Sequence, residues 1–179
     1  MRAFFAIDLS DRHKNAIEEV TTLLQTKFKK KDVHWIKSAN FHITLHFLGD
    51  IQADTAPLAA AVRQFIRHIS PFTIQLGPLE WFPTPYLPRI ISLHVEPLTL
   101  LTQLAQAIGQ GILASGYPIE KRPFRGHITL GKLNTTLPHP SLPECSIALD
   151  PLPVKEIILF QSKPQALGSR YTLLESFVL

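Results

Sequence analysis

The tetrapeptide His-Ile-Thr-Leu occurs twice, as His42-Ile43-Thr44-Leu45 and as His127-Ile128-Thr129-Leu130, and it constrains this chain more than any other feature. Each copy alternates polar and apolar residues, the period-2 pattern of a strand with one buried face. In the first copy Phe41, Ile43, Leu45 and Phe47 are expected on the core face, and His42, Thr44 and His46 on the other. In the second, Ile128 and Leu130 take the core face and His127 and Thr129 the opposite one. A single His-x-Thr on a strand is ordinary half-exposed surface. Packing explains a repeated Ile and Leu, but it gives no reason to repeat His. Two such strands facing each other would make a symmetric site of two imidazoles and two hydroxyls.

That set suits the cleavage of a phosphodiester. Histidine titrates near 6.5, so one copy can be neutral and the other protonated near neutral pH, as a general base and a general acid require. Thr44 and Thr129 can donate hydrogen bonds to the non-bridging oxygens, and Arg125 and Lys132 flank the second copy with positive charge. Strict alternation puts Lys132 on the face away from His127, so it needs the strand end or a bulge to reach the site. His42, His46 and His94 are the histidines that could converge on a metal. Neither motif holds an acidic residue, however, and hydrolytic metal sites commonly mix His with carboxylates, so neither a metal nor another cofactor is expected. There is no Gly-x-Ser-x-Gly elbow and no phosphate-binding Gly-x4-Gly-Lys-Ser/Thr loop.

Along the chain, Met1 to Leu9 reads as a first strand, and Ser10 or Asp11 as the cap of a helix with Ile17, Val20, Leu24 and Phe28 on one face. A short strand at Val33–Ile36 leads into the first His strand, which Gly49-Asp50 ends. A second helix from about Asp54 carries Leu58, Val62, Phe65 and Ile69. Strands follow at Phe72–Leu76 and Ile90–Val95, separated by Trp81 to Pro88, whose three prolines preclude helix or central strand. A third helix spans about Thr99 to Ala114, before the second His strand. A proline-rich loop lies at Leu137–Pro143, and two closing strands at Val154–Gln161 and Arg170–Leu179 meet at a turn around Gly168. This order predicts one domain of α+β class with mainly antiparallel sheets, helices on the outer faces and the His strands lining a groove.

Apolar residues make up 45% of the 179 and charged ones 18%, which argues against disorder. No apolar run reaches the ~18 residues that cross a bilayer, so no membrane partner is expected. The N-terminal stretch is too short and too soon charged for a secretory signal. The lone Cys145 excludes an internal disulfide framework and fits a reducing cytoplasm. A net charge of +4 suits a polyanionic partner, although the Lys27, Lys29, Lys30 and Lys31 cluster reads first as a solvated face.

The doubled motif resembles the signature of the two-histidine (2H) phosphoesterase superfamily, and the chain is similar to bacterial and archaeal RNA 2′,3′-cyclic phosphodiesterases, formerly described as 2′–5′ RNA ligases. The likeness runs through Met1–Leu9, Trp35–Gly49, Phe124–Lys132, Leu159–Ser162, Gly168–Tyr171 and Phe177–Leu179. It implies a bilobal, pseudo-twofold fold with one histidine from each lobe in a central groove, and metal-free hydrolysis of an RNA 2′,3′-cyclic phosphate to a 2′-phosphomonoester. On it His42 is assigned as the acid that protonates the 3′ oxygen and His127 as the base, although the sequence cannot fix that order. Thr44 and Thr129 carry over as phosphate ligands. Gly126 replaces a proline common in relatives, and Lys132 an arginine, which keeps the charge but loses bidentate binding.

Other readings keep the chemistry and change the substrate to a small cyclic nucleotide, a 2′–5′ oligoadenylate or an ADP-ribose cyclic phosphate. A further one is an RNA-binding module without catalysis. Phe4, Trp35, Trp81, Tyr86 and Arg89 are the side chains that could grip a base, and Arg89 and Lys163 could add backbone contacts. A monomer is expected.

Overall fold

The computed structural model describes residues 1–134, 141–143, 150–166 and 168–179. Cys145 and the Leu137–Pro140 part of the proline-rich loop lie outside the described residues. The elements, in chain order, are β1 (Arg2–Asp8), α1 (Asp11–Gln25), β2 (Val33–Trp35), β3 (His42–Asp50), α2 (Ala56–Ile66), β4 (Phe72–Phe82), β5 (Ile90–Glu96), α3 (Leu98–Ala114), β6 (His127–Leu133), β7 (Leu152–Val154), β8 (Glu156–Gln165) and β9 (Gly168–Val178).

The strands join into one curled antiparallel sheet in the order β7-β4-β5-β6-β3-β1-β8-β9, with β2 added beside β6. The α+β class and the antiparallel pairing are as the order of elements predicts, and the two-halved arrangement is as the family resemblance implies. The halves interlock. β4 follows β3 in the chain but pairs with β5, and β8 comes after β6 but pairs with β1. The two His strands meet in the middle, where Ile43 of β3 opposes Ile128 of β6.

The helices form where the apolar spacing indicates. Ser10 caps α1, its side chain accepting from the His13 amide, and Ile17 and Leu24 are buried. α2 buries Leu58, Ala59, Val62 and Ile66 and stops there, so Ile69 follows the helix instead of extending its face. α2 and α3 touch closely at Gly111, where a Cβ would lie 2.6 Å from the Val62 Cα. The core between helices and sheet includes Phe5, Ile43, Leu93, Ile108, Ile128 and Phe177.

Two expectations about strands are corrected. β4 runs on through Trp81-Phe82, because the prolines that stop it begin only at Pro83; a register shift between Leu76 and Leu79 absorbs Pro78. The polar-apolar alternation of β3 also breaks. Ala6 pairs with Thr44 but Phe5 pairs with His46, so Leu45 is an extra residue in the ladder. The bulge turns His46 toward α3, where its Nε2–H donates to the Ala105 carbonyl at 2.7 Å. It turns Phe47 outward, 56% exposed and beside Phe4. β6 repeats the device: Ser92 pairs with Thr129 but Ile91 with Gly131, which makes Leu130 the extra residue. Lys132 then pairs with Ile90, on the same face as Ser92, Thr129 and His127.

Candidate active site

His42 and His127 are held in the same way. The His42 Nδ1–H donates to the Asn40 carbonyl at 2.7 Å and the His127 Nδ1–H to the Arg125 carbonyl at 2.8 Å, each two residues back. A carbonyl only accepts, so Nδ1 carries the proton in both rings and Nε2 is left for chemistry. At His42 that nitrogen accepts a hydrogen bond from the Thr44 hydroxyl at 2.9 Å. The central Ile43–Ile128 pair has a further consequence. In an antiparallel ladder it sets His42 next to Thr129, and Thr44 next to His127. The Thr129 hydroxyl makes no hydrogen bond among the described residues.

Aromatic rings fix both imidazoles. Phe82 stacks on His127 with ring centroids 4.1 Å apart, and the Arg125 guanidinium sits 4.5 Å from the centroid of that Phe82 ring. Arg125 also donates to the Pro83 carbonyl at 2.8 Å. Around His42, Phe4 lies at 5.0 Å and Tyr171 presents an edge at 5.3 Å.

Burial pushes both histidines below the ordinary value. At His42 the Asn40 carbonyl and the Asp8 carboxylate oppose the fall, while positive charge at His127 and Lys14 adds to it. At His127 the Arg125 carbonyl and Glu80 oppose burial, and the Arg125 guanidinium reinforces it. The site therefore holds two neutral imidazoles near pH 7, rather than the neutral and protonated pair expected from the unperturbed value. Desolvation of the charged form is the reason. Burial likewise raises the Tyr171 phenol.

Two clefts flank the pair. One, of about 470 Å³, is lined by Thr44, Phe47, Phe82, Arg122, Arg125 and His127. The other, of about 260 Å³, is lined by Asp8, Lys37, Asn40, His42, Arg170 and Tyr171. The structure thus brings together His42, Thr44, His127 and Arg125, with Thr129 adjacent by register. Thr129 and Lys132 line neither cleft, although the Leu130 bulge puts Lys132 on the groove face.

The metal trio is not assembled. His46 is turned to α3, His94 faces Glu80 at 4.0 Å and Glu96 at 3.3 Å, and no cluster of three or more His, Cys, Asp or Glu that could hold a metal occurs among the described residues. Of the base-gripping candidates, Phe4 is buried, Trp35 and Trp81 edge against Phe28, and Tyr86 and Arg89 stand exposed in the loop after β4. None lines either of these clefts. The rings that do include Phe47, Phe82 and Tyr171, and all three are missing from that set. The period-2 pattern hides Phe47 as core, and the proline run masks Phe82. Tyr171 stands in the Gly-Ser-Arg-Tyr stretch, to which the sequence assigns no role.

A model of the 2′-5′ RNA ligase superfamily matches residues 9–155. The chain belongs to this superfamily. Its curated relatives include a protein named RNA 2′,3′-cyclic phosphodiesterase from Methanothermobacter thermautotrophicus, 26% identical over 185 residues that cover all of this chain and 99% of the relative. One of the same name from Geobacillus stearothermophilus is 29% identical over 130 residues, 72% of this chain; the match spans only 41% of that relative's length. Among solved structures, a Thermus thermophilus protein superposes with a TM-score of 0.80 at 27% identity, covering 100% of this chain and 98% of its own. E. coli LigT, solved in complex with 3′-AMP, gives 0.75 at 27% identity over 99% and 97%.

Proposed function

We propose that the chain hydrolyses the 2′,3′-cyclic phosphate at an RNA end to a 2′-phosphomonoester, with His42 and His127 as the acid and base and no metal in the reaction. The observation that carries this is the matched tethering of the two imidazoles. Each has its Nδ1 proton on a backbone carbonyl and its Nε2 left for chemistry, one on either side of the Ile43–Ile128 pair. The names of the relatives support the substrate.

In this mechanism the cyclic phosphate lies between the two Nε2 atoms, with Thr44 and Thr129 donating to its non-bridging oxygens. The anion favours a charged imidazole, so binding offsets burial and protonates His42. His127 Nε2 takes a proton from water as the water oxygen bonds to phosphorus. The bond from phosphorus to the 3′ oxygen breaks, and His42 Nε2 gives that oxygen its proton. Water exchange returns the histidines to their starting states. Ring strain in the cyclic ester leaves little for a Lewis acid to supply, and Arg125 beside the His127 cleft adds positive charge.

The test is to incubate the protein with an RNA ending in a 2′,3′-cyclic phosphate in EDTA and to identify the phosphate position in the product. A 2′-phosphate is expected. Loss of turnover in chelator, or a 3′-phosphate product, would overturn the scheme. A small cyclic nucleotide as substrate is supported by the 3′-AMP complex of E. coli LigT, and the same assay compares the two.

A further inference from the structure

The smaller cleft has features that the acid-base pair does not use. Its volume of about 260 Å³ falls below the ~300–1,000 Å³ of typical small-molecule sites, so it suits a compact group rather than a base. Lys37 and Arg170 both line it, and neither has a carboxylate partner among the described residues. Its carboxylate, Asp8, is already engaged by Lys14 at 2.7 Å. Arg170 also stands directly opposite Lys163 in the β8–β9 ladder. Like charges directly opposite each other in a ladder are mutually destabilising. The walls are tied together, because Asn40 Nδ2 donates to the Ser169 carbonyl at 2.7 Å and so joins the turn after Lys37 to the hairpin that carries Arg170.

We infer that this cleft is a second anion site, built for the 5′-phosphate of the nucleotide whose 2′,3′-cyclic phosphate reacts, and that Lys37 and Arg170 hold it. The inference rests on the proposed hydrolysis with His42 as the acid. The 3′ oxygen is protonated on the His42 side of phosphorus, so its ribose and 5′ substituent lie on that side as well. The next phosphate of an RNA chain is one ribose away, beyond His42, where the two cations line the cleft. The site thereby distinguishes a nucleotide within a chain from a free nucleoside cyclic phosphate.

Two substrates that differ only in that group provide the test: adenosine 2′,3′-cyclic phosphate and its 5′-phosphorylated form. The wild type should prefer the 5′-phosphorylated one by about tenfold in kcat/KM, as charge-assisted contacts of this kind allow. In Lys37→Gln/Arg170→Gln the ratio should fall toward one, and Lys37→Arg should restore most of it beside an intact Arg170. Equal use of both substrates by the wild type, or a ratio unchanged in the double variant, overturns the site. Equilibrium binding of adenosine 3′-phosphate against adenosine 3′,5′-bisphosphate reads the same site without turnover. Tighter binding of the bisphosphate, lost in the double variant, supports the site even if neither cyclic ester is hydrolysed, an outcome that would sink only the hydrolase reading.

Discussion

Ile43 and Ile128 are cross-strand partners at the centre of the sheet, and the paired features of the site are arranged about that contact. One step out are His42 and His127, each tied to the carbonyl two residues back. Two steps out are Leu45 and Leu130, the bulged residues that redirect the strands.

Replacing either His42 or His127 by Ala should lower turnover of a cyclic phosphate by about 10²–10⁴-fold, the usual contribution of a positioned acid or base. Together the two changes should cost far less than the product of the single losses, because the pair acts as a unit. Steady-state rates on all three variants check this; a single variant that retains more than about a tenth of wild-type turnover would remove that histidine from the reaction.

The pH profile follows from burial. Both imidazoles lie below the ordinary value in the free protein, so kcat/KM should be bell-shaped with its maximum on the acid side of neutrality. The alkaline limb reports loss of the proton that the acid must carry. In kcat that limb should shift to higher pH, since bound phosphate favours the charged imidazole. A rate that climbs without a maximum to about pH 9 is inconsistent with this site.

Stability should depend on pH through the same groups. A histidine whose folded value is depressed is neutral in the native state while its unfolded counterpart begins to protonate near 6.5. Its contribution is therefore complete above about pH 6.5 and is lost as pH falls through the lower folded value. Thermal unfolding should show Tm dropping below about pH 6.5, and His42→Gln should flatten that slope. An identical slope in the variant would mean that other groups govern it.

Gly126 stands where a Cβ would meet the Val95 Cγ2 at 3.0 Å and the Leu101 Cδ1 at 3.2 Å. Gly126→Ala should cost about 1–3 kcal/mol in chemical denaturation, the range for overpacking a filled site. Val95→Ala in the same chain should relieve part of it, so the double change costs less than the two singles combined. The fit also accounts for the glycine itself: Val95 and Leu101 occupy the space a side chain would need. An additive double variant would show that the two positions do not share it.

Lys132 and Phe47 occupy corresponding places after the two bulges, and Phe47 lines the cleft beside His127. The same turn puts Lys132 on the groove face, paired with His34 and Ile90. Lys132→Ala should therefore lower kcat/KM about tenfold for a cyclic mononucleotide as well as for RNA. A loss confined to RNA would mean that the lysine touches only the chain beyond the reacting phosphate.

The twin strands, their buried isoleucines and the three helices are legible in the sequence because period 2 and period 3.6 record burial directly. The bulges are not. An extra residue in a ladder is set by the partner strand, so nothing in His-Ile-Thr-Leu-His-Phe indicates that Phe47 leaves the core face and His46 enters it. The aromatic walls are hidden for a similar reason: Phe82 and Tyr171 reach the histidines from distant parts of the chain, through pairings of β4 with β5 and β8 with β9. Lys37 and Arg170 look like ordinary surface cations until the Asn40–Ser169 bond brings their segments together.

The exchange of β4 and β8 between the halves means that neither half is a finished object. A fragment ending in the loop after Phe82 would carry β4 without the β5 edge it needs, and the remainder would carry β8 without β1. Each piece would present raw hydrogen-bonding edges, and each is the other's template. Severed there, the chain should behave as two strangers that become a protein only on meeting, and the two histidines would come into register only at that moment.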